Sequence, residues 1–194
     1  MMLTKNLILI GSGGRNSGKT ALAEALIRLL APQYPLCALK VTTVAETGGC
    51  HRGEQGCGAC AGFSAYALDE EKDRASGKDT SRLLNAGAKP VFWLRSRAAC
   101  LAEAYAAFLA KVNAPSLIIA ESNSLRRRVE PGCFIMVRPP PAERERVKPS
   151  AAGVEGLADL TLDSPLPPEA AADLYSRLII EPADGRLPVR FRRN

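Results

Sequence analysis

The stretch Gly13-Gly14-Arg15-Asn16-Ser17-Gly18-Lys19-Thr20 fits the pattern G-x-x-x-x-G-K-[ST] at every fixed position, and it follows closely on the apolar run Leu7-Ile8-Leu9-Ile10. Glycines let a backbone turn back on itself through positive φ. The successive N–H groups of such a loop point inward and surround a phosphate. Lys19 adds a point charge toward the outer phosphates, and the Thr20 hydroxyl reaches a magnesium ion. Beyond the loop, Leu22, Ala25, Leu26, Leu29 and Leu30 recur with the period of a helix that has one apolar face. That helix turns the positive end of its dipole toward the same anion. Strand, glycine loop and helix stand in the order that phosphate binding needs, so residues 13 to 20 are expected to hold a nucleotide.

The rest of the chain extends this pattern. Strand-like runs recur at Leu7–Ile10, Leu36–Val41, Val91–Leu94, Ser116–Ala120, Cys133–Val137 and Asp159–Leu162. Helical patterns lie between several of them, the clearest being Leu101, Ala104, Tyr105, Phe108, Leu109 and Val112, and the last Ala171, Leu174, Tyr175, Leu178 and Ile179. This alternation predicts an α/β fold of the P-loop NTPase type, a mostly parallel sheet with helices on both faces. The 194 residues suit a single domain. Two regions break the alternation. Residues 44–78 are rich in Gly, Cys and charge without a clear period, and residues 138–156 read as an exposed loop. The basic end of the chain, 181–194, reads as a loosely held tail or a short edge strand. Ligands of such sheets bind at the carboxyl ends of strands. Glu121, directly after Ser116–Ala120, therefore reads as a carboxylate that orders magnesium or polarises water, and otherwise as a capping or surface residue.

Composition narrows the setting. Hydrophobic residues make up 46% of the chain, enough for a globular core, but no apolar stretch approaches the roughly 18 residues that span a bilayer. The first residues lack the layout of a signal peptide, so a cytoplasmic location without membrane attachment is expected. The net charge of +6 comes largely from Arg126-Arg127-Arg128, from the stretch at 143–148 and from the end at 190–193. These clusters do not develop the aromatic interleaving of a single-strand binding platform, which argues against nucleic acid. A solvated surface, or arginines that serve an anionic nucleotide or a phosphorylated second substrate, accounts for them.

Four segments together resemble the molybdopterin-guanine dinucleotide biosynthesis protein B family: the loop with its helix, Ala38-Leu39-Lys40-Val41-Thr42-Thr43, the segment Gly77-Lys78-Asp79-Thr80 with Arg82 and Ala86-Gly87-Ala88, and Ser116–Ser124. The resemblance covers roughly residues 5–125, and the segment from Gly77 is its discriminating part. It implies a GTPase, usually dimeric, that works with a partner protein in maturing the molybdenum cofactor. It places Lys40, Asp79 and Glu121 around the terminal phosphate and the magnesium ion. The chain departs from the family where a histidine-rich patch is replaced by Val41-Thr42-Thr43 and where the strand end reads Glu121-Ser122-Asn123. No N-K-x-D signature reads the base, so GTP is implied by the resemblance and ATP stays open.

A further departure is the cluster Cys50, Cys57 and Cys60, set among glycines. Cys57-Gly58-Ala59-Cys60 has the spacing with which two thiolates chelate one ion across a tight turn, and Cys50 adds a third ligand. Zinc and an iron–sulfur cluster both suit thiolate-rich ligation. The fourth ligand is open between His51, Cys37, a non-protein group and a cysteine of a dimer mate. Unligated thiols are the alternative. Cys37, Cys100 and Cys133 fall in strand or helix patterns and are expected to be packed thiols.

Three functions fit these residues. The first is a nucleotide triphosphatase, with Lys19, Asp79 and Glu121 as catalytic groups, supporting synthesis of molybdopterin guanine dinucleotide. The second is a metal or iron–sulfur delivery NTPase with the cysteines as cargo site. The third is a nucleotide-dependent binding switch or a small-molecule kinase.

Overall fold

The computed structural model describes residues 1–14, 16–44, 65–146 and 149–192. The apolar run that opens the chain becomes strand β1 (Met2–Ser12), and the glycine loop leads into helix α1 (Lys19–Leu30). There follow β2 (Leu36–Val44), β3 (Tyr66–Glu70), α2 (Asp79–Ala86), β4 (Val91–Arg97), α3 (Leu101–Leu109), β5 (Leu117–Glu121) and β6 (Val129–Arg138). The chain ends with β7 (Leu160–Asp163), α4 (Ala170–Arg177), β8 (Leu178–Ile180) and β9 (Val189–Phe191).

Seven strands form one sheet in the order β3-β4-β2-β5-β1-β6-β7, and β8 and β9 form a separate hairpin. All pairings in the large sheet are parallel except that of β3 with β4. Parallel strands need cover on both faces, and successive side chains divide between them. Ile8, Ile10, Ala38, Ile119 and Ile135 pack under α1, α2 and α4. Their neighbours Leu7, Leu9, Leu39, Ile118 and Phe134 pack under α3, where Tyr105 and Phe108 are fully buried. Cys37 and Cys133 are buried among apolar neighbours, and Cys100 is half-buried at the start of α3. Among the described residues no helix is long and apolar enough to cross a membrane.

Three expectations need correction. Leu178 and Ile179 continue the helical period of α4, but the helix stops at Arg177 and both residues pair with β9 instead. Their β-branched and apolar side chains fit a strand as readily as a helix. Of the two readings of the chain's end, the short strand holds, because Val189 is buried and hydrogen-bonded pairing fixes Val189–Phe191 against β8. Within the aperiodic region, Tyr66–Glu70 is an edge strand held by β4. Within 138–156, Ala151 and Val154 are buried against the α3 face of the sheet, so the segment is not wholly exposed. Arg15 and the cysteine segment with Cys50, His51, Cys57 and Cys60 lie outside the described residues.

Candidate functional site

The connections of the sheet diverge at β1. The chain leaves β1 through α1 toward β2 and β4 on one side, and after β5 it passes to β6 and β7 on the other. In open α/β sheets the crevice at such a point, above the carboxyl ends of the strands, is where ligands bind. Residues 13, 14 and 16–20, between the end of β1 and the first turn of α1, lie at that end of the sheet.

The loop is shaped by close approach and by positive φ. A Cβ at Gly13 or Gly14 would come within 2.9 or 2.8 Å of Pro139, at the end of β6. Gly18 has φ of 86° and Asn16 of 51°. Gly18, at the N-cap of α1, makes no side-chain capping hydrogen bond. Ser17 is buried, and its Oγ has no hydrogen-bond partner among the described residues. Lys19 reaches back along the loop, its Nζ donating to Ser12 Oγ at 3.1 Å, while Ser12 Oγ donates to the Gly14 carbonyl at 2.6 Å.

Beside the loop, four side chains from four elements meet. Thr20 comes from the first turn of α1, Lys40 from β2, Asp79 from the first position of α2 and Glu121 from the end of β5. Parallel pairing sets Lys40 directly opposite Glu121. Lys40 Nζ lies 2.6 Å from Glu121 Oε2 and 2.7 Å from Asp79 Oδ2. Thr20 Oγ1 donates to the same Glu121 Oε2 at 3.2 Å. Glu121 is only 1% exposed, yet its second oxygen, Oε1, has no partner among the described residues. A buried acceptor left unserved is costly, and a bound ion or a donor is one thing that would complete it. Arg82, one turn beyond Asp79, donates to Glu24 of α1 at 2.5 Å and ties α2 to α1 behind this cluster.

The charges follow from the geometry. Burial by itself pulls the Lys40 ammonium down, but the charges of Glu121 and Asp79 and their hydrogen bonds outweigh it, and the pKa is raised. Burial would lift the Asp79 carboxyl, but Lys40, Arg82 and a hydrogen bond from Thr20 together hold it below the ordinary carboxylate range. Both groups are therefore ionised near neutrality. The outcome is one ammonium between two carboxylates, with a hydroxyl alongside.

Oxygen donors of this kind suit a hard cation such as magnesium, which takes one or two carboxylates and completes its shell with phosphate and water. Thr20, Asp79 and Glu121 fit that ion. Among the described residues no group of three His, Cys, Asp or Glu side chains is placed to hold a metal by itself. The structure thus brings Lys19, Thr20, Lys40, Asp79 and Glu121 to one crevice with the loop glycines. Glu121 closes β5 rather than following it.

The sequence reading did not single out Asn123. Its Oδ1 accepts from the Ser12 N–H at 2.7 Å, and its Nδ2 donates to the Ser12 carbonyl at 2.8 Å and to Ser150 Oγ at 3.1 Å. One side chain thus fixes both backbone groups of the residue where β1 gives way to the loop. The signal available was a polar triplet at the end of an apolar run, Glu121-Ser122-Asn123, and only its first member drew notice.

Compared with known proteins, the chain matches no family model, no curated protein and no solved structure.

Proposed function

We propose that this protein binds a nucleoside triphosphate with Mg²⁺ through Gly13, Gly14, Arg15, Asn16, Ser17, Gly18, Lys19 and Thr20, and hydrolyses it slowly. The observation that carries this reading is the meeting of Thr20, Lys40, Asp79 and Glu121 beside a glycine loop, with Glu121 Oε1 buried and unpartnered. Thr20, Asp79 and Glu121 would hold Mg²⁺, which when bound neutralises charge on the phosphates. Lys19 and Lys40 would carry positive charge to the terminal phosphate. Catalysis of this kind is mostly positioning and electrostatics.

The resemblance of residues 5–125 favours GTP over ATP and a cytoplasmic role, as a homodimer with a maturation partner, in molybdopterin guanine dinucleotide synthesis. The thiolate spacing of Cys50, Cys57 and Cys60 supports a zinc or iron–sulfur site. That site rests on the sequence alone. Elemental analysis of anaerobically purified protein beside its Cys57→Ser/Cys60→Ser variant tests it: metal bound by the parent and lost from the variant supports it, and a metal-free parent ends it.

Calorimetric titration with GTP and with ATP, each with Mg²⁺ and with EDTA, tests the main reading. Magnesium-dependent binding of one of them, weakened about tenfold or more by Lys19→Ala, is expected. Binding of neither nucleotide in the presence of Mg²⁺ overturns it. Product analysis then separates hydrolysis from transfer to a second molecule.

A further inference from the structure

Away from the crevice, where β1 and β6 begin, the molecule carries a surface of a different kind. Met1 and Leu3 are 77% and 57% exposed, two of the three exposed large hydrophobic residues among those described. Arg126 and Arg128 adjoin the start of β1, with Arg127 between them in the chain. The Met2 N–H donates to the Arg128 carbonyl at 2.8 Å, and Arg126 Nη1 lies 3.6 Å from Met1 Sδ. Lys5, exposed, follows Leu3 by two residues, just where the β1–β6 pairing shifts register.

None of these cations has a carboxylate partner among the described residues. Arg126 donates to the Val129 carbonyl and lies over the Phe134 ring. Arg127 donates to the carbonyls of Pro149 and Ala152. Lys5 and Arg128 are exposed and unpaired. Elsewhere Arg82, Arg95, Arg138, Arg144 and Arg190 each meet an acidic side chain, while Arg74 and Arg177 also donate to backbone carbonyls; what sets this face apart is that its cations cluster around exposed aliphatic residues. Uncompensated charge of one sign around exposed aliphatic residues raises a local potential that attracts an anionic partner, and the aliphatic residues give such a partner an apolar anchor.

We propose that this face, Leu3 and Met1 ringed by Lys5, Arg126, Arg127 and Arg128, is the docking surface for an acidic polypeptide segment that carries an aliphatic anchor. Three observations select a polypeptide among anionic partners. Glu130 is exposed, lies opposite Leu3 in the β1–β6 pairing and forms no ion pair among the described residues. A carboxylate there repels a continuous run of phosphates, whereas a polypeptide can set a basic residue against it. The aliphatic residues lie on a strand and are few, unlike the long apolar face with which an amphipathic helix enters a lipid surface. Among the described residues no exposed aromatic ring adjoins the arginines to stack a base. The inference goes beyond the nucleotide reading and stands without it.

The test measures anisotropy of a labelled peptide of Glu-Glu-Leu-Glu repeats interrupted by one Lys, with the full chain and no nucleotide. A Glu-only peptide, phosphatidylserine vesicles and a single-stranded oligonucleotide serve as competitors. The Glu/Leu peptide is expected to bind, and to lose about tenfold in affinity with Lys5→Glu/Arg128→Glu. Leu3→Ser is expected to weaken it several-fold and to leave the Glu-only peptide unaffected. Thermal melts confirm that the variants fold, and Arg128→Glu alone, at an exposed unpaired residue, keeps the test open if the double variant does not. Absence of peptide binding, indifference to both the charge and the Leu3 changes, or tighter binding of vesicles or oligonucleotide at the same residues overturns the proposal.

Discussion

Two carboxylates close neighbouring regions of the same sheet edge, Glu121 at the end of β5 and Asp163 at the end of β7, and each is met by cations. Asp163 is 51% exposed, and both of its oxygens are served: Oδ1 by Arg138 and Arg144, and Oδ2 by Arg138. Its carboxyl is held below the ordinary range, first by the Arg138 hydrogen bonds. Glu121 is buried, with one oxygen crowded by Lys40 and Thr20 and the other unserved. The first arrangement is complete and costs little desolvation, as expected of a clasp between a strand end and the loop after β6. The second keeps a desolvated charge only partly satisfied. Other buried polar atoms also stand without a partner among the described residues; what sets Glu121 apart is a desolvated carboxylate grouped with Lys40, Asp79 and Thr20 beside the glycine loop.

The contrast can be broken most sharply at Lys40. Lys40→Met removes the ammonium and leaves Glu121 buried beside a hydroxyl. A loss of about 3–5 kcal/mol is expected in denaturant unfolding. The double variant Lys40→Met/Glu121→Gln buries no charge and should recover most of it; no recovery would mean that packing, not charge, dominates the cluster. Next is Asn123→Ala, which strands the backbone N–H and carbonyl of Ser12. The expected cost is about 1–3 kcal/mol, read as a drop in unfolding midpoint at unchanged m-value. Thr20→Ala removes a donor to Glu121 and should cost about 1 kcal/mol of stability, and it should lower nucleotide affinity about tenfold with Mg²⁺ but not with EDTA, consistent with a cation ligand. An equal loss in both conditions would remove Thr20 from the metal.

The pH dependence is smaller, because Asp79 is 40% exposed and screened. Its lowered pKa means that its contribution is full above the ordinary value of 3.8 and is lost as pH falls through the folded value below that. The raised pKa of Lys40 means that its contribution is full below 10.5 and is lost as pH rises through the folded value above that. The melting difference between the parent and Asp79→Asn should therefore be flat across neutrality and close only in strong acid. Asp163→Asn, at the satisfied and exposed carboxylate, is expected to leave both the melting temperature and nucleotide binding at parental values. A substantial loss there would end the contrast.

The sequence made the central strands legible because each is a run of apolar residues that parallel pairing buries on both faces. Leu7–Ile10 and Leu117–Ala120 have no exposed position. Tyr66–Glu70 escaped notice because an edge strand needs no such run; its last two residues are exposed and β4 alone holds it. Sequence spacing also could not join Lys40 to Glu121. The two are 81 residues apart, and they meet only because β5 inserts between β2 and β1. The resemblance brought Lys40, Asp79 and Glu121 into view together, and pairing register supplies the physical reason for their meeting. Asn123 was hidden for a related cause. An amide side chain carries no motif, and its role depends on which backbone it faces.

The placement of Lys40 also bears on time. Its backbone lies inside β2, paired on one side with β5 at Glu121 and on the other with β4 at Trp93. Two ladders pin its Cα, so loading of the crevice cannot shift that strand without breaking both. Any redistribution of the Lys40 charge must run through its four-carbon side chain, as a swing about a fixed pivot. Side-chain rotations precede the microsecond-to-millisecond motions of whole domains. The earliest response of this protein to a ligand would then be a change of rotamer, visible at the Lys40 side-chain resonances while the amides of β2 stay where they are.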